Sequence, residues 1–427
     1  MLRLPEFRRL FVAQAVSDVG DGMTFMALLL LVNTLTHSTA ALALLFIAVA
    51  VPSMVGGIIA GAAADRFDRR RIMLASDTMR TVLVLGFVLV GTAERLPILY
   101  VVAFAQAAIG TFFSPARGAL IPRVVPAEGL MAANGLGQMS RMIGGLAGTG
   151  LTGVIIAVAG AAWPAFVADA STFAVSVLIV LRVNRALGAP PAVPVGHARS
   201  GLGASALEGL RLIGKSPTLV ATVVGAAIAM LGLGAVNVLL VPFLINLLGA
   251  SAAWTGPVEA AQTIAMLLAG GAIGTFAGRI TPQAMLVGSL VGVGVTIALL
   301  FVTPNVVVLL GVMFVTGWFA TPAHVATQTI VGTTVSDAAR GRVIGALQAS
   351  MSTTSIVSMA AAGLFAGVVG IRAVFLIGGL ICLCAAGVTG LLFLLDRGSR
   401  PVSEAHADDI GDSAVHIHRG AVPSPDA

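Results

Sequence analysis

The chain has 427 residues, 58% of them hydrophobic and 10% charged, and its mean hydropathy is +1.02. Soluble domains carry about 25% charged residues, so this composition excludes an ordinary soluble globule and points to the bilayer. The net charge of +6 sits in short basic stretches between apolar runs, which reads as topology charge and argues against nucleic acid as a partner.

A helix needs roughly 20 apolar residues to cross about 30 Å of hydrocarbon. Twelve such runs are predicted, near 10–33, 40–62, 72–92, 97–121, 130–159, 162–182, 218–247, 253–277, 283–303, 305–330, 342–368 and 371–395. The first follows Arg3, Arg8 and Arg9 and is too long for a cleavable leader, so it is read as span 1. Within it Gln14, Ser17, Asp18 and Asp21 recur at i, i+3, i+4 and i+7 and form one polar stripe, with Gly20 and Gly22 leaving space around it. Counted from Arg9, Asp18 lies about 13 Å deep and Asp21 about 18 Å deep. An acid at the bilayer centre costs about 2.5–3.5 kcal/mol on insertion scales, so each must face a cavity or a partner.

Spans 2 and 3 are joined by Gly61 to Arg71, which reads Gly-Ala-Ala-Ala-Asp-Arg-Phe-Asp-Arg-Arg-Arg. Under the positive-inside rule this loop faces the cytoplasm. Gly61-x-x-x-Asp65-Arg66-x-x-Arg69-Arg70 also resembles the loop signature between helices 2 and 3 of the major facilitator superfamily, usually Asp-Arg-x-Gly-Arg-Arg. Asp68 stands where that Gly is expected, a form associated with the macrolide-efflux and enterobactin-exporter-like branch, whose span 1 motif Ser17-Asp-Val-Gly-Asp-Gly22 also resembles. The resemblance covers about residues 5 to 395. It implies an all-α integral membrane fold of twelve transmembrane helices in two pseudo-symmetric six-helix bundles around a central cavity. It also implies a gating latch of Gly61, Asp65, Arg66 and Arg70, with Asp65 docking on the N-terminus of span 11, where the helix dipole favours negative charge. Pure topology signalling by Arg69–Arg71 is the plainer alternative.

Asp77 and Arg80 in span 3, at i and i+3, read as an interfacial ion pair. Arg141 in span 5 lies about 20 Å along the helix from Glu128, at the depth of Asp21, and is the expected counter-charge. The hypothesis is that Asp21 is the main proton carrier, with Arg141 tuning it and Asp18 helping; a static buried pair is the competing reading. Gly144-Gly-Leu-Ala-Gly148 is a degraded form of the Gly-Pro-x-x-Gly motif of antiporters in this superfamily, with Gly145 at the Pro position, and small residues at this spacing also serve close helix packing. Gly148-Thr-Gly-Leu-Thr-Gly153 satisfies a dinucleotide fingerprint in form only, since no strand precedes it. No Gly-x-x-x-x-Gly-Lys-Ser/Thr loop occurs, so ATP is not the expected energy source. Asp169 in span 6 is read as a helix-end residue wetted by the outer vestibule.

The longest loop, 183–216, holds Pro190, Pro191 and Pro194 and divides the chain into a half at 1–182 and a half at 217–396, followed by a polar tail at 397–427 expected to be disordered. A weak internal repeat supports the division: Phe113-Ser-Pro-Ala-Arg117 corresponds to Ala320-Thr-Pro-Ala-His324, and Gly274-x-x-x-Gly278-Arg279 is a worn copy of the loop signature. Cys382 and Cys384 point to different helix faces, which disfavours a disulfide or shared metal. His416 and His418 in the tail read as solvated residues more than metal ligands.

These features predict a secondary transporter that exports hydrophobic or amphiphilic small molecules, driven by the proton gradient, with no cofactor and no metal. The substrate cavity is assigned to Gln14, Phe25, Gln106, Gln138, Asn237, Glu259, Trp318 and Gln328, with Glu259 available to attract a cation. The expected partners are the small-molecule substrate, protons and the lipid bilayer, for a monomer in the inner membrane with both termini in the cytoplasm. A dedicated exporter of a native metabolite such as a siderophore is the nearest alternative, and a non-transporting sensor or scaffold the next. The six histidines are scattered, and no nucleophile–base pair points to an enzyme.

Overall fold

The computed structural model describes residues 2–188, 202–276, 280–335 and 337–398. Six long helices form the first half: α1 (Pro5–Thr36), α2 (Thr39–Arg66), α3 (Arg69–Gly86), α4 (Leu96–Val124), α5 (Leu130–Ala159) and α6 (Trp163–Val180). Two shorter pieces, α7 (Arg185–Gly188) and α8 (Leu202–Gly214), come next. The second half holds α9 (Pro217–Pro242), α10 (Thr255–Phe276), α11 (Pro282–Leu299), α12 (Val306–Thr334), α13 (Asp337–Val369) and α14 (Ile371–Gly398). One long helix thus stands for each of the twelve expected spans. Among the described residues ten are long and apolar enough to cross a bilayer, and α2 contributes the apolar stretch Thr39–Ser53.

Local chemistry sets the helix ends. Ser38, Asp68, Ser216, Thr281 and Asn305 cap α2, α3, α9, α11 and α12 by accepting a backbone N–H three residues on. Prolines open α1, α9 and α11 where no N–H partner is needed. α5 stops at Gly160, whose positive φ of 66° suits a residue without Cβ. α4 and α12 are each 29 residues long, carry an interior proline (Pro115 and Pro322), and end on an extended valine, Val125 and Val335. The weak sequence repeat is therefore a structural one.

The packing repeats as well. α1 packs on α5 and α6, α2 on α4, and α3 on α4 and α6; in the second half α9 packs on α13 and α14, α10 on α12, and α11 on α12 and α14. Across the halves α2 meets α13 and α5 meets α10, which is the same contact made twice with the roles exchanged. These are two pseudo-symmetric six-helix bundles.

The halves are joined at the end of the molecule opposite the Arg-rich α2–α3 loop. There Asn33 and Asn246 exchange amide hydrogen bonds of 3.2 and 3.1 Å. Thr39 Oγ1 donates to Gly363 O at 2.7 Å, and Gly256 comes against the backbone of Gly150. The tail with His416 and His418, the proline-rich part of the 183–216 loop, the worn signature copy at Gly278-Arg279, and the surroundings of Gly61 and Asp65 lie outside the described residues.

Candidate functional site

At mid-depth in the first half lies a cavity of about 580 Å³ lined by Asp21, Phe25, Ser53, Arg80, Gln106 and Thr111, among others. Ser53 also borders a chamber of about 430 Å³ between the halves, walled by Met230, Gln348, Met351 and Met359. Met230, Gln348 and Met351 in turn line a third chamber of about 210 Å³ inside the second half, with His324 and Gln328. The chambers run from a charged wall in one bundle to a methionine-rich wall in the other.

The charged wall is built by α1, α3 and α6. Arg80 Nη2 donates to Asp21 Oδ1 in an ion pair in which Arg80 is nearly buried, while 45% of the Asp21 side chain is exposed to the cavity. The guanidinium also lies 4.1 Å from the ring centroid of Phe173, a cation–π contact. One turn earlier on α3, Asp77 is fully buried and accepts a hydrogen bond from Ser176. Asp169 is fully buried too, accepting from Thr24 at 2.6 Å and from Thr172 at 3.0 Å. Gly20 backs directly onto Asp169, a contact that a Cβ would prevent. Three carboxylates thus gather around one guanidinium, and only Asp21 faces the space.

This arrangement corrects three expectations. The partner of Asp21 is Arg80, not Arg141, which lies on the exposed side of α5 and donates to Gln138 at 2.5 Å. Arg80 does not pair with Asp77, because the side chain reaches across to α1. Asp169 is not a wetted helix end: α1 closes over it and Thr24 supplies a donor. Depth bookkeeping could have found the true pair, since Arg80 lies eleven residues past Arg69, about 17 Å along its helix.

The remaining candidates are dispersed. Asp18 accepts from Ser140 at 2.7 Å, and Gln14 donates to Gly137 O at 3.4 Å, so both serve the α1–α5 contact. Phe25 and Gln106 line the central cavity and Gln328 the third chamber. Asn237 and Trp318 are exposed on α9 and α12 and are not among the residues lining these chambers. Glu259 lies beside Thr149 where α10 meets α5 and is not among the residues lining these chambers. In the loop, Arg66 is exposed, whereas Arg70 is buried and caps the end of α6 through Val180 O (3.1 Å) and Leu181 O (2.7 Å). Arg69, whose neighbour Asp68 caps α3, donates to Ala64 O at 3.1 Å. These two arginines tie the loop to its own bundle in this state. Sequence reasoning missed the methionine wall, because Met at helical spacing reads as ordinary packing.

The family model described as Major Facilitator Superfamily matches residues 10–281 and 222–423. Among curated proteins, the uncharacterized MFS-type transporter YfiS of Bacillus subtilis is 26% identical over 91% of this chain and 92% of its own length. The enterobactin exporter EntS of Citrobacter koseri is 27% identical over 84% of this chain and 85% of its own. Among solved structures, a bacterial homologue of the human lysosomal transporter Spinster, inward-facing and unoccupied, superposes with a TM-score of 0.71 at 17% identity, covering 91% of this chain and 97% of that one. A POT family transporter in complex with 5-aminolevulinic acid gives 0.72 at 11% identity, covering 92% and 96%. Twelve long helices in two pseudo-symmetric six-helix bundles, chambers that run from one bundle to the other, and a family match along most of the sequence place the chain in the Major Facilitator Superfamily, as a membrane transporter of small molecules.

Proposed function

We propose that the chain is a proton-coupled exporter of hydrophobic or amphiphilic small molecules that works by alternating access of its two halves. The observation that carries this reading is Asp21, a carboxylate at mid-depth that faces the central cavity and is held by Arg80. A charge in that position is costly unless it is used. Ionised, Asp21 binds Arg80; when it takes a proton the pair weakens and the α1–α3 contact loosens. Substrate entering the same cavity competes for the same groups, which couples its passage to that of the proton. Asp18 assists from the same stripe, and the gating loop at Gly61, Asp65 and Arg66 acts when the Arg-rich end closes.

In this reading the Arg-rich end and both termini are cytoplasmic, in the inner membrane. The seal formed by Asn33–Asn246 and Thr39–Gly363 then belongs to the state that admits substrate from the cytoplasm. The halves at 1–182 and 217–396 rock as bodies joined by 183–216, and a single chain suffices. The similarity to proteins named enterobactin exporters over 84% of the chain favours a second reading, export of a native siderophore-like metabolite.

The test is accumulation of labelled compounds, macrolides and siderophores among them, in a pump-deficient host. Wild type, Asp21→Asn and an uncoupler are compared at matched expression. Lowered accumulation that both Asp21→Asn and the uncoupler abolish supports proton-driven export and names the substrate class. Export that persists in a folded Asp21→Asn variant removes Asp21 as the carrier.

A further inference from the structure

Two side chains in the wall of the central cavity keep hydrogen-bonding groups that no protein atom satisfies. Gln106 of α4 is only 7% exposed, and neither its Nε2 nor its Oε1 has a partner. Arg80, 8% exposed in the same wall, engages Asp21 through Nη2 but leaves Nε–H unpaired. Buried polar groups in native proteins are nearly always paired, because an unmade hydrogen bond in a low-dielectric setting is costly. Gln106 shares its part of the cavity wall with the small residues Ala103, Ala107 and Gly110 of α4.

We propose that Gln106 and Arg80 form the recognition site for the head group of the substrate, and that this head is uncharged, with a donor and an acceptor on adjacent atoms, as in a carboxamide. The inference rests on reading the central cavity as the substrate site. Arg80 Nε–H and the Gln106 Nε2 hydrogens call for acceptors, and Gln106 Oε1 calls for a donor. A cationic head brings donors only and meets the Arg80 guanidinium. An anionic head brings acceptors only, leaves Oε1 unpaired and lies beside Asp21. The Asp21–Arg80 pair cancels its own charge, and Asp77 and Asp169, buried behind it, are not among the residues lining the cavity. The rest of this wall sets the hydroxyls of Thr24, Ser53, Thr111 and Ser114 among the apolar side chains of Phe25, Leu28, Val49, Phe87 and Pro115, and beyond Ser53 the body of the molecule meets Met230, Met351 and Met359. Methionine adapts to bodies of varied shape, so the head is read closely and the body loosely.

The test uses the full chain purified in detergent and three probes on one naphthyl-alkyl body, ending in a carboxamide, a trimethylammonium or a sulfonate. Binding is titrated by calorimetry and by the thermal-unfolding shift. The carboxamide is expected to bind at least about tenfold more tightly than either charged probe. Gln106→Leu should weaken the carboxamide about tenfold, leave the charged probes unchanged, and not lower the Tm of the free protein, since it removes an unpaired buried amide. Gln106→Met serves the same purpose should Gln106→Leu misfold. A charged probe that binds as well as the carboxamide, an unchanged carboxamide affinity in both variants, or no binding of any probe overturns the proposal. Binding is read without a gradient, so a failure of proton-coupled export in cells leaves this test intact.

Discussion

Asp21, Arg80, Asp77 and Asp169 come from three helices and meet with one positive charge among them. Arg80 does two things that a lysine cannot do together: it donates to Asp21 through Nη2 and lays a planar face on Phe173. Arg80→Lys is therefore expected to keep the fold and lose export, measured as accumulation of an established substrate at matched expression. Retention of full export would reduce the guanidinium to a simple counter-charge. Thr24→Val removes the donor to the buried Asp169 Oδ2 and is expected to cost roughly 1–3 kcal/mol of stability, read as thermal unfolding in detergent. At this scale the sequence pointed to the acid that faces the cavity but not to its partner. Asp21 announces itself by depth and by the stripe it shares with Asp18. Arg80 was hidden by a nearer acid on its own helix, because i, i+3 spacing shows what can touch and not what lies across the interface.

The contact between α1 and α5 depends on glycine at some positions and tolerates it at others. A Cβ on Gly148 would run into Val19 O and the backbone N of Met23, while one on Gly145 would meet nothing within 4 Å. Gly148→Ala is expected to cost more than the ~1–3 kcal/mol of ordinary overpacking, because the obstacle is backbone. Gly145→Ala should be neutral or gain up to about 1 kcal/mol of helix propensity. Thermal unfolding of the two variants side by side checks both, and equal losses would contradict the packing account. The same contrast shows what the degraded antiporter motif amounts to in this fold: Gly148 and Gly22 carry the close approach, and the position that holds proline elsewhere in the superfamily is open. Element positions were legible because apolar runs, prolines and capping residues act locally. Which glycine faces a neighbour was not, since repeats of small residues look alike until the helix is rotated into place.

The two bundles touch at one end through Asn33–Asn246, Thr39–Gly363 and Gly150–Gly256. If transport requires that end to open, holding it shut must stop the cycle. Asn33→Cys with Asn246→Cys, in a chain with Cys382 and Cys384 replaced, should lose export when bridged by a short thiol cross-linker and regain it on reduction. Undiminished export by the bridged protein would rule out separation of these residues as part of the cycle. Which helices meet across the halves, α2 with α13 and α5 with α10, was not legible, for the weak repeat relates the halves in sequence without saying how they dock. The division of labour between the chambers has a further consequence. The carboxylates of the charged cluster belong to α1, α3 and α6, whereas methionines and glutamines from α9, α12 and α13 form the far walls. Mutation can reshape those far walls without touching the charge pair, so drift in one half can alter what the chambers accept while the charged cluster in the other is inherited unchanged.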